Sequence, residues 1–260
     1  MNRRQSIKLL LAASAGTILP HPFAMGLSAT TPDAIASSST APAIGDHPVM
    51  PAFTWLNLGE VKPTGWIKEQ MLRDLTQGFA GCLGELCHEA SSDIFVSHRN
   101  SLKSQNSTNQ DGAKWWNGES EGNWRTGFIM MAYLTDDEVA RKKADEYVQH
   151  ILGSQDPDGY LGIFAPDLRF TREGELWTQA CLLRGLLDYA ELTGNRDAMN
   201  AVIRAADLTI NVYGSGRTAF PWGENHDLMI SDVMERLFEL TGDPKYRDFT
   251  LWFYQAWSKN

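Results

Sequence analysis

The chain has 260 residues, enough for one large domain or two small ones with a substantial hydrophobic core. Its hydrophobic fraction of 43% and charged fraction of 21% are typical of a folded globular protein and exclude a disordered or fibrous one. The formal net charge is −9 and no basic stripe is present, which excludes nucleic acid and an anionic membrane surface as partners.

The amino terminus has the pattern of an export signal. Arg3 and Arg4 precede an apolar stretch over residues 9–19, which is too short to span a bilayer. We therefore predict an export signal over residues 1–29, either of the twin-arginine type or of the ordinary secretory type. The mature protein is expected in the periplasm or outside the cell, with no membrane attachment once the signal is removed.

A flexible linker is expected to follow the signal. Residues 30–52 are rich in Ser, Thr, Ala and Pro, a composition that is typical of unstructured linkers. The folded domain is therefore predicted over residues 53–260.

A repeated pattern within this domain indicates helical hairpins. Three similar segments, each ending an apolar helix, contain Thr135-Asp136, Thr193-Gly194 and Thr241-Gly242. Helices are predicted over residues 124–134, 136–152 and 176–192, and no stretch shows the period-2 alternation of a strand. Helices that are apolar all round alternate with amphipathic ones, which predicts an all-α fold with an inner and an outer ring of helices.

The long loops between hairpins are expected to gather at one rim of this ring. Tryptophans beside carboxylates are typical of sugar-binding sites, because apolar sugar faces stack on aromatic rings while hydroxyl groups bind polar side chains. Paired carboxylates further indicate glycoside hydrolysis. The substrate-binding candidates are Trp115, Trp116, Trp222 and Asp158, and the catalytic candidates are Glu119, Glu121 and Glu175. Helix capping and loop packing explain Trp124, Trp177, Asp227 and Glu175 equally well.

Several segments, in this order and at this spacing, resemble family 127 of the glycoside hydrolases, the β-L-arabinofuranosidase-like family. The segments are 61–67, 124–137, Gln155-Asp156-Pro157-Asp158-Gly159-Tyr160-Leu161-Gly162, Gly174-Glu175-Leu176-Trp177 and 240–246. The resemblance implies an (α/α)6 toroid with a sugar pocket at the rim, and L-arabinofuranosides or related plant or algal polysaccharide fragments as substrates. His226 falls where the family has a sugar-contacting histidine, whereas Gly174 replaces another such histidine.

The length implies that only part of the family's catalytic domain is present. Six hairpins at about 50 residues each need roughly 300 residues, so we expect the N-terminal half of the domain and an incomplete toroid. The family's acid/base glutamate and zinc-bound nucleophilic cysteine lie in its later half, and Cys82, Cys87 and Cys181 do not match that cysteine motif. We therefore expect no metal or other cofactor in this chain, and a truncated protein whose own activity is open. The aromatic helix over residues 251–257 is expected to mediate self-association.

Two other functions fit the same sequence. An unsaturated uronyl hydrolase or a polysaccharide lyase would need basic groups for uronate carboxylates, and Arg125, Arg169 and Arg172 are the candidates near the rim. A non-catalytic sugar-binding fragment is the second alternative, since fold alone does not distinguish these chemistries.

Overall fold

The computed structural model of the chain describes residues 56–97, 99, 115–172, 174–213 and 225–258. Within these residues all regular structure is helical and there is no β-strand, which confirms the predicted all-α fold. None of the helices described is both long enough and apolar enough to cross a membrane. The helices are α1 Gly65–Gln77, α2 Phe79–Leu86, α3 Trp115–Thr135, α4 Glu138–Ser154, α5 Glu175–Thr193, α6 Arg196–Tyr213, a 3₁₀ helix Asn225–Met229, α7 Ile230–Thr241 and α8 Pro244–Trp257.

The predicted helical hairpins are present as α3–α4, α5–α6 and α7–α8. Each hairpin turn begins with a residue in the left-handed conformation, which is Asp136 (φ 62°), Gly194 (φ 71°) or Gly242 (φ 72°). Glycine adopts this conformation without steric cost, and aspartate is one of the few other residues that tolerate it. The repeat that is visible in the sequence is therefore a repeat of helix C-caps.

The residue after each of these positions caps the next helix. The side chains of Asp137, Asn195 and Asp243 accept hydrogen bonds from backbone N–H groups in the first turns of α4, α6 and α8, at 2.8, 2.9 and 3.0 Å. Such caps satisfy N–H groups that have no partner within the helix. Pro244 occupies the first turn of α8, as the sequence predicted.

The helices form an inner layer (α3, α5 and α7) and an outer layer (α4, α6 and α8). In α5, thirteen of nineteen residues are buried, and the helix packs against α3, α6 and α7. In α4, only a stripe of four residues is buried: Ala140, Ala144, Val148 and Ile151. Neighbouring outer helices also touch, since α4 contacts α6 and α6 contacts α8. The apolar patterns of α5 and α4 therefore match their layers, whereas the inner helix α7 buries only a stripe of four residues.

The inner helices α3 and α5 run parallel and begin at the same end of the fold. Gly118 lies against Thr178, Gly122 against Cys181, and Gly185 against Thr126. These contacts advance in the same direction along both helices, one turn at a time. We call the end at which α3 and α5 begin the rim.

One element at the rim differs from the prediction. The sequence predicts that this helix begins at residue 124, but α3 begins at Trp115. Gly118, Gly122 and the polar residues around them indicated a loop by local propensity. Both glycines instead lie where α5 approaches α3, so tertiary packing outweighs their low helix propensity.

Candidate functional site

Glu175 lies at the start of α5 and is fully buried. Its carboxylate accepts hydrogen bonds from the Tyr160 hydroxyl at 2.9 Å, the Gln179 amide at 2.7 Å and the Phe170 backbone N–H at 3.1 Å. Burial raises the pKa of this carboxyl group to about 7, although the three hydrogen bonds oppose the shift. Near neutral pH the group is therefore close to half protonated.

The loop over residues 155–172 is built around Tyr160. The guanidinium carbon of Arg169 lies 3.9 Å from the centre of the Tyr160 ring, and that of Arg99 lies 5.3 Å from it. The carboxylate of Asp156 pairs with both arginines, at 3.1 Å to Arg99 and 2.6 Å to Arg169. Asp158 accepts the backbone N–H of Tyr160 at 3.0 Å, so this predicted sugar-binding residue also shapes the turn.

Glu121 is the second buried carboxylate. It is 2% exposed, and the Ile94 backbone N–H donates to it at 3.2 Å. Burial raises its pKa to about 7, and the nearby positive charge of Arg125 partly offsets this effect. The Tyr147 side chain lies beside the same carboxylate. Glu121 therefore connects the segment that contains Ile94 to α3.

Glu119 differs from the other two catalytic candidates because it is only partly buried. It lies near Cys181, and burial together with the negative charge of Glu119 raises the pKa of the Cys181 thiol to about 12. A raised pKa favours the thiol over the thiolate, which makes Cys181 a poor nucleophile. Because Glu119 is only partly buried, it is the catalytic candidate that a ligand at the rim could reach.

Trp115 and Trp116 differ in exposure. Trp115 packs against Gly174, where a Cβ atom would lie 2.5 Å from the indole ring. Trp116 is 40% exposed and contacts Trp115 edge to face, with 5.9 Å between ring centres. Trp115 therefore supports the loop, and Trp116 offers an accessible aromatic face.

Asp227 and Trp124 have identifiable structural contacts. Asp227 is buried in the 3₁₀ helix and accepts the backbone N–H of Trp177 at 3.0 Å, so it caps α5 from a neighbouring element. The Trp124 indole donates to the Ala80 carbonyl at 2.8 Å and connects α2 to α3. Trp222 lies outside the described residues, as does the side chain of His226.

The three arginines that could bind uronate occupy different environments. Arg169 is engaged by Asp156 and by Asp158, at 3.7 Å to the latter. Arg172 is partly buried. Arg125, on α3, lies against the rings of Trp124 on α3 and Tyr147 on α4.

The part of the chain described here offers no obvious metal site. Cys82, Cys87 and Cys181 are free thiols. Among the described residues, no three His, Cys, Asp or Glu side chains converge as metal ligands would.

Among the described residues, the rim thus combines the accessible Glu119 and Trp116 with a buried support. Glu119 and Trp116 can contact a ligand, whereas Glu175 holds the loop that flanks them. Sequence reasoning missed Tyr160, Gln179 and Arg99, although all three organise this support. For Tyr160, the available signal was its position directly after an Asp-Gly turn.

Comparison with known proteins places these features in one family. The family model described as β-L-arabinofuranosidase, GH127 catalytic domain, matches residues 83–257, a range that contains α3 to α8 and the rim. No curated protein matches the chain. The match agrees with the two layers of helices, which fit part of a helical toroid, so the predicted fold is confirmed.

Proposed function

The chain belongs to the family of β-L-arabinofuranosidase, GH127 catalytic domains, and on this premise we propose that it is a glycoside hydrolase acting on L-arabinofuranosides or related sugars. The match over residues 83–257 of 260 is the observation that carries the proposal. Plant and algal polysaccharide fragments are the natural source of such sugars. Fragments of this kind occur outside the cell, which is consistent with the export signal that we propose for residues 1–29.

We place the sugar at the rim, against Trp116 and Glu119. Trp116 is 40% exposed, and the apolar face of a sugar ring could stack on its indole. Glu119 lies one turn further along α3 and is accessible enough to contact a hydroxyl or glycosidic oxygen. Glu175 is a positioning residue in this proposal, because its carboxylate is sealed behind Tyr160 and Phe170.

Gly174 supports a sugar contact that differs from that of the family. Where the resemblance implies a histidine, this chain has a glycine with φ 73°, and the Trp115 ring fills the space that a side chain would need. A histidine would be strained here and would collide with the indole. Trp116, which Trp115 supports, therefore takes the place of that histidine as the sugar-facing side chain.

The zinc-bound cysteine implied by the resemblance does not fit the residues described. Cys181 is buried, and the described residues offer no set of three ligands around any cysteine. We derive no step through a metal.

Hydrolysis of a panel of aryl glycosides by the full chain tests the proposal. We expect release of the aryl group from β-L-arabinofuranoside, and a loss of roughly 100-fold in kcat/KM for Glu119→Gln. Glu138→Gln, which changes an exposed glutamate on the outer helix α4, is the matched control and should retain activity. Selective cleavage of an unsaturated uronyl substrate would favour the uronyl hydrolase instead. Saturable sugar binding without turnover would favour a sugar-binding fragment.

A further inference from the structure

A crevice lies between α3, α4 and the segment that contains Asp93. Its lining does not include Glu175 or the residues that hydrogen-bond to Glu175. Its volume is about 430 Å³, and it is open to solvent because several of its side chains are exposed. The lining residues are Asp93, Arg125, Lys143, Glu146, Tyr147 and His150.

Arg125 is held in a fixed position in this crevice. Its guanidinium carbon lies 4.0 Å from the centre of the Trp124 ring and 4.4 Å from that of Tyr147, so the group is stacked between two aromatic faces. Its buried Nε atom has no hydrogen-bond partner. Within the described residues, no carboxylate oxygen lies within 4.0 Å of its nitrogens, although the buried Glu121 acts on it from a greater distance.

The carboxylates of the crevice are already engaged with other groups. Asp93 accepts the Ser97 backbone N–H at 3.1 Å, and its other oxygen lies 3.6 Å from the His150 ring. Glu146 pairs with Lys142, at 3.9 Å. Lys143, by contrast, has no carboxylate within 4.0 Å in the part of the chain that the structure describes. The crevice therefore contains two cations, Arg125 and Lys143, without a close counter-charge.

We propose that this crevice binds a compact oxyanion, a carboxylate, sulfate or phosphate, between Arg125 and Lys143. The planar guanidinium can offer two parallel N–H donors to such a group, and the flexible lysine can approach from α4. Stacking on two rings fixes the arginine in advance, which lowers the conformational entropy lost on binding. The inference is independent of the proposed hydrolase function, because binding can be measured without turnover.

Titration calorimetry on the full chain at low ionic strength tests this site. The probes are inorganic phosphate, inorganic sulfate and galacturonate, with chloride as the reference anion. We expect saturable binding, weakened about ten-fold by Lys143→Gln because a charge-assisted hydrogen bond is lost. Arg196→Gln is the matched control, since Arg196 is an exposed cation at the start of the outer helix α6 and does not line the crevice. It should bind as the unmodified protein does.

The three probes distinguish the source of the anion. Tighter binding of galacturonate than of either inorganic ion assigns the site to a sugar carboxylate, and the reverse order assigns it to free inorganic anions. Arg125→Gln should abolish binding. If that variant does not fold, the charge reversal Lys143→Glu replaces it, because Lys143 is exposed. Absence of saturable binding up to about 10 mM, or equal weakening by Arg196→Gln and Lys143→Gln, overturns the proposal.

Discussion

At the scale of single residues, the environment of Glu175 favours its neutral form. The amide oxygen of Gln179 is buried and has no hydrogen-bond partner, whereas its nitrogen donates to the carboxylate. Rotating this amide by 180° would present the oxygen to a protonated Glu175, whose O–H could then donate to it. The assignment of amide oxygen and nitrogen follows from such networks. Protonation thus supplies the donor that the Gln179 oxygen lacks.

The pKa of Glu175 predicts how stability changes with pH. Its folded-state pKa is raised from 4.5 to about 7, so between these pH values the folded protein binds more protons than the unfolded chain. The contribution to the free energy of unfolding is therefore fully present below pH 4.5 and is lost as pH rises through 7. We expect Glu175→Gln to flatten this decline, as measured by urea unfolding at pH 5 and at pH 7.5.

Other buried carboxyl groups also lower the free energy of unfolding as pH rises. Burial raises the pKa of Glu121 to about 7 and that of Asp188 to about 6, so Glu175→Gln should reduce the decline without removing it. Glu138→Gln, at an exposed position, should retain the full decline. An unchanged decline in Glu175→Gln would show that Glu175 ionises in the folded protein as it does in the unfolded chain.

At the scale of helices, local signals predicted the hairpin turns but not the first two turns of α3. The turns follow from left-handed residues and side-chain caps, which act over three or four residues and are visible in one sequence. The start of α3 depends instead on the approach of α5, some 60 residues further along the chain. A glycine needed for close packing and a glycine that breaks a helix look the same in sequence.

The sequence indicated candidate residues for the site but not which of them are buried. The composition of the rim indicated Trp116 as a substrate-binding candidate and Glu119 as a catalytic candidate; both are at least partly exposed, and their roles stay predictions. The burial of Glu175 was not predictable, because it depends on how Tyr160 and Phe170 fold over it. Acidic residues in a sequence carry no signal that distinguishes a sealed carboxylate from an accessible one.

Close packing of α3 and α5 predicts different effects for two glycines of the same helix. A Cβ atom at Gly122 would lie 2.7 Å from the Cβ and 2.9 Å from the carbonyl carbon of Cys181, so the α5 backbone would have to move. We expect Gly122→Ala to lower the free energy of unfolding by about 1–3 kcal/mol. At Gly127 a Cβ atom would meet nothing within 4 Å, so Gly127→Ala should be neutral or stabilising by up to about 1 kcal/mol. Chemical denaturation of both variants checks this.

The comparison controls for helix propensity, because both substitutions replace glycine by alanine within α3. If the two variants changed stability equally, propensity would explain the effect and the close approach of the helices would not. A loss confined to Gly122→Ala would support the packing argument for the unpredicted start of α3.

At the scale of the whole molecule, we expect apolar side chains on the outer surface to set the tendency to associate. In α8, Phe249 and Phe253 are buried, whereas Leu251 is 53% exposed and Tyr254 is 58% exposed. Leu251 and Tyr254 are three residues apart and so lie on the same side of the helix. This pair forms the exposed part of the aromatic helix for which the sequence predicts self-association.

We expect the double substitution Leu251→Glu with Tyr254→Ser to reduce self-association, because it places a charge and a small polar group in the apolar contact. Sedimentation velocity over a range of protein concentrations measures the effect. Val139→Glu is the matched control, since Val139 is 68% exposed on α4 and does not lie on α8. If both proteins associate less, general repulsion is the cause, since the net charge is already −9. If only the α8 variant associates less, the contact lies on α8.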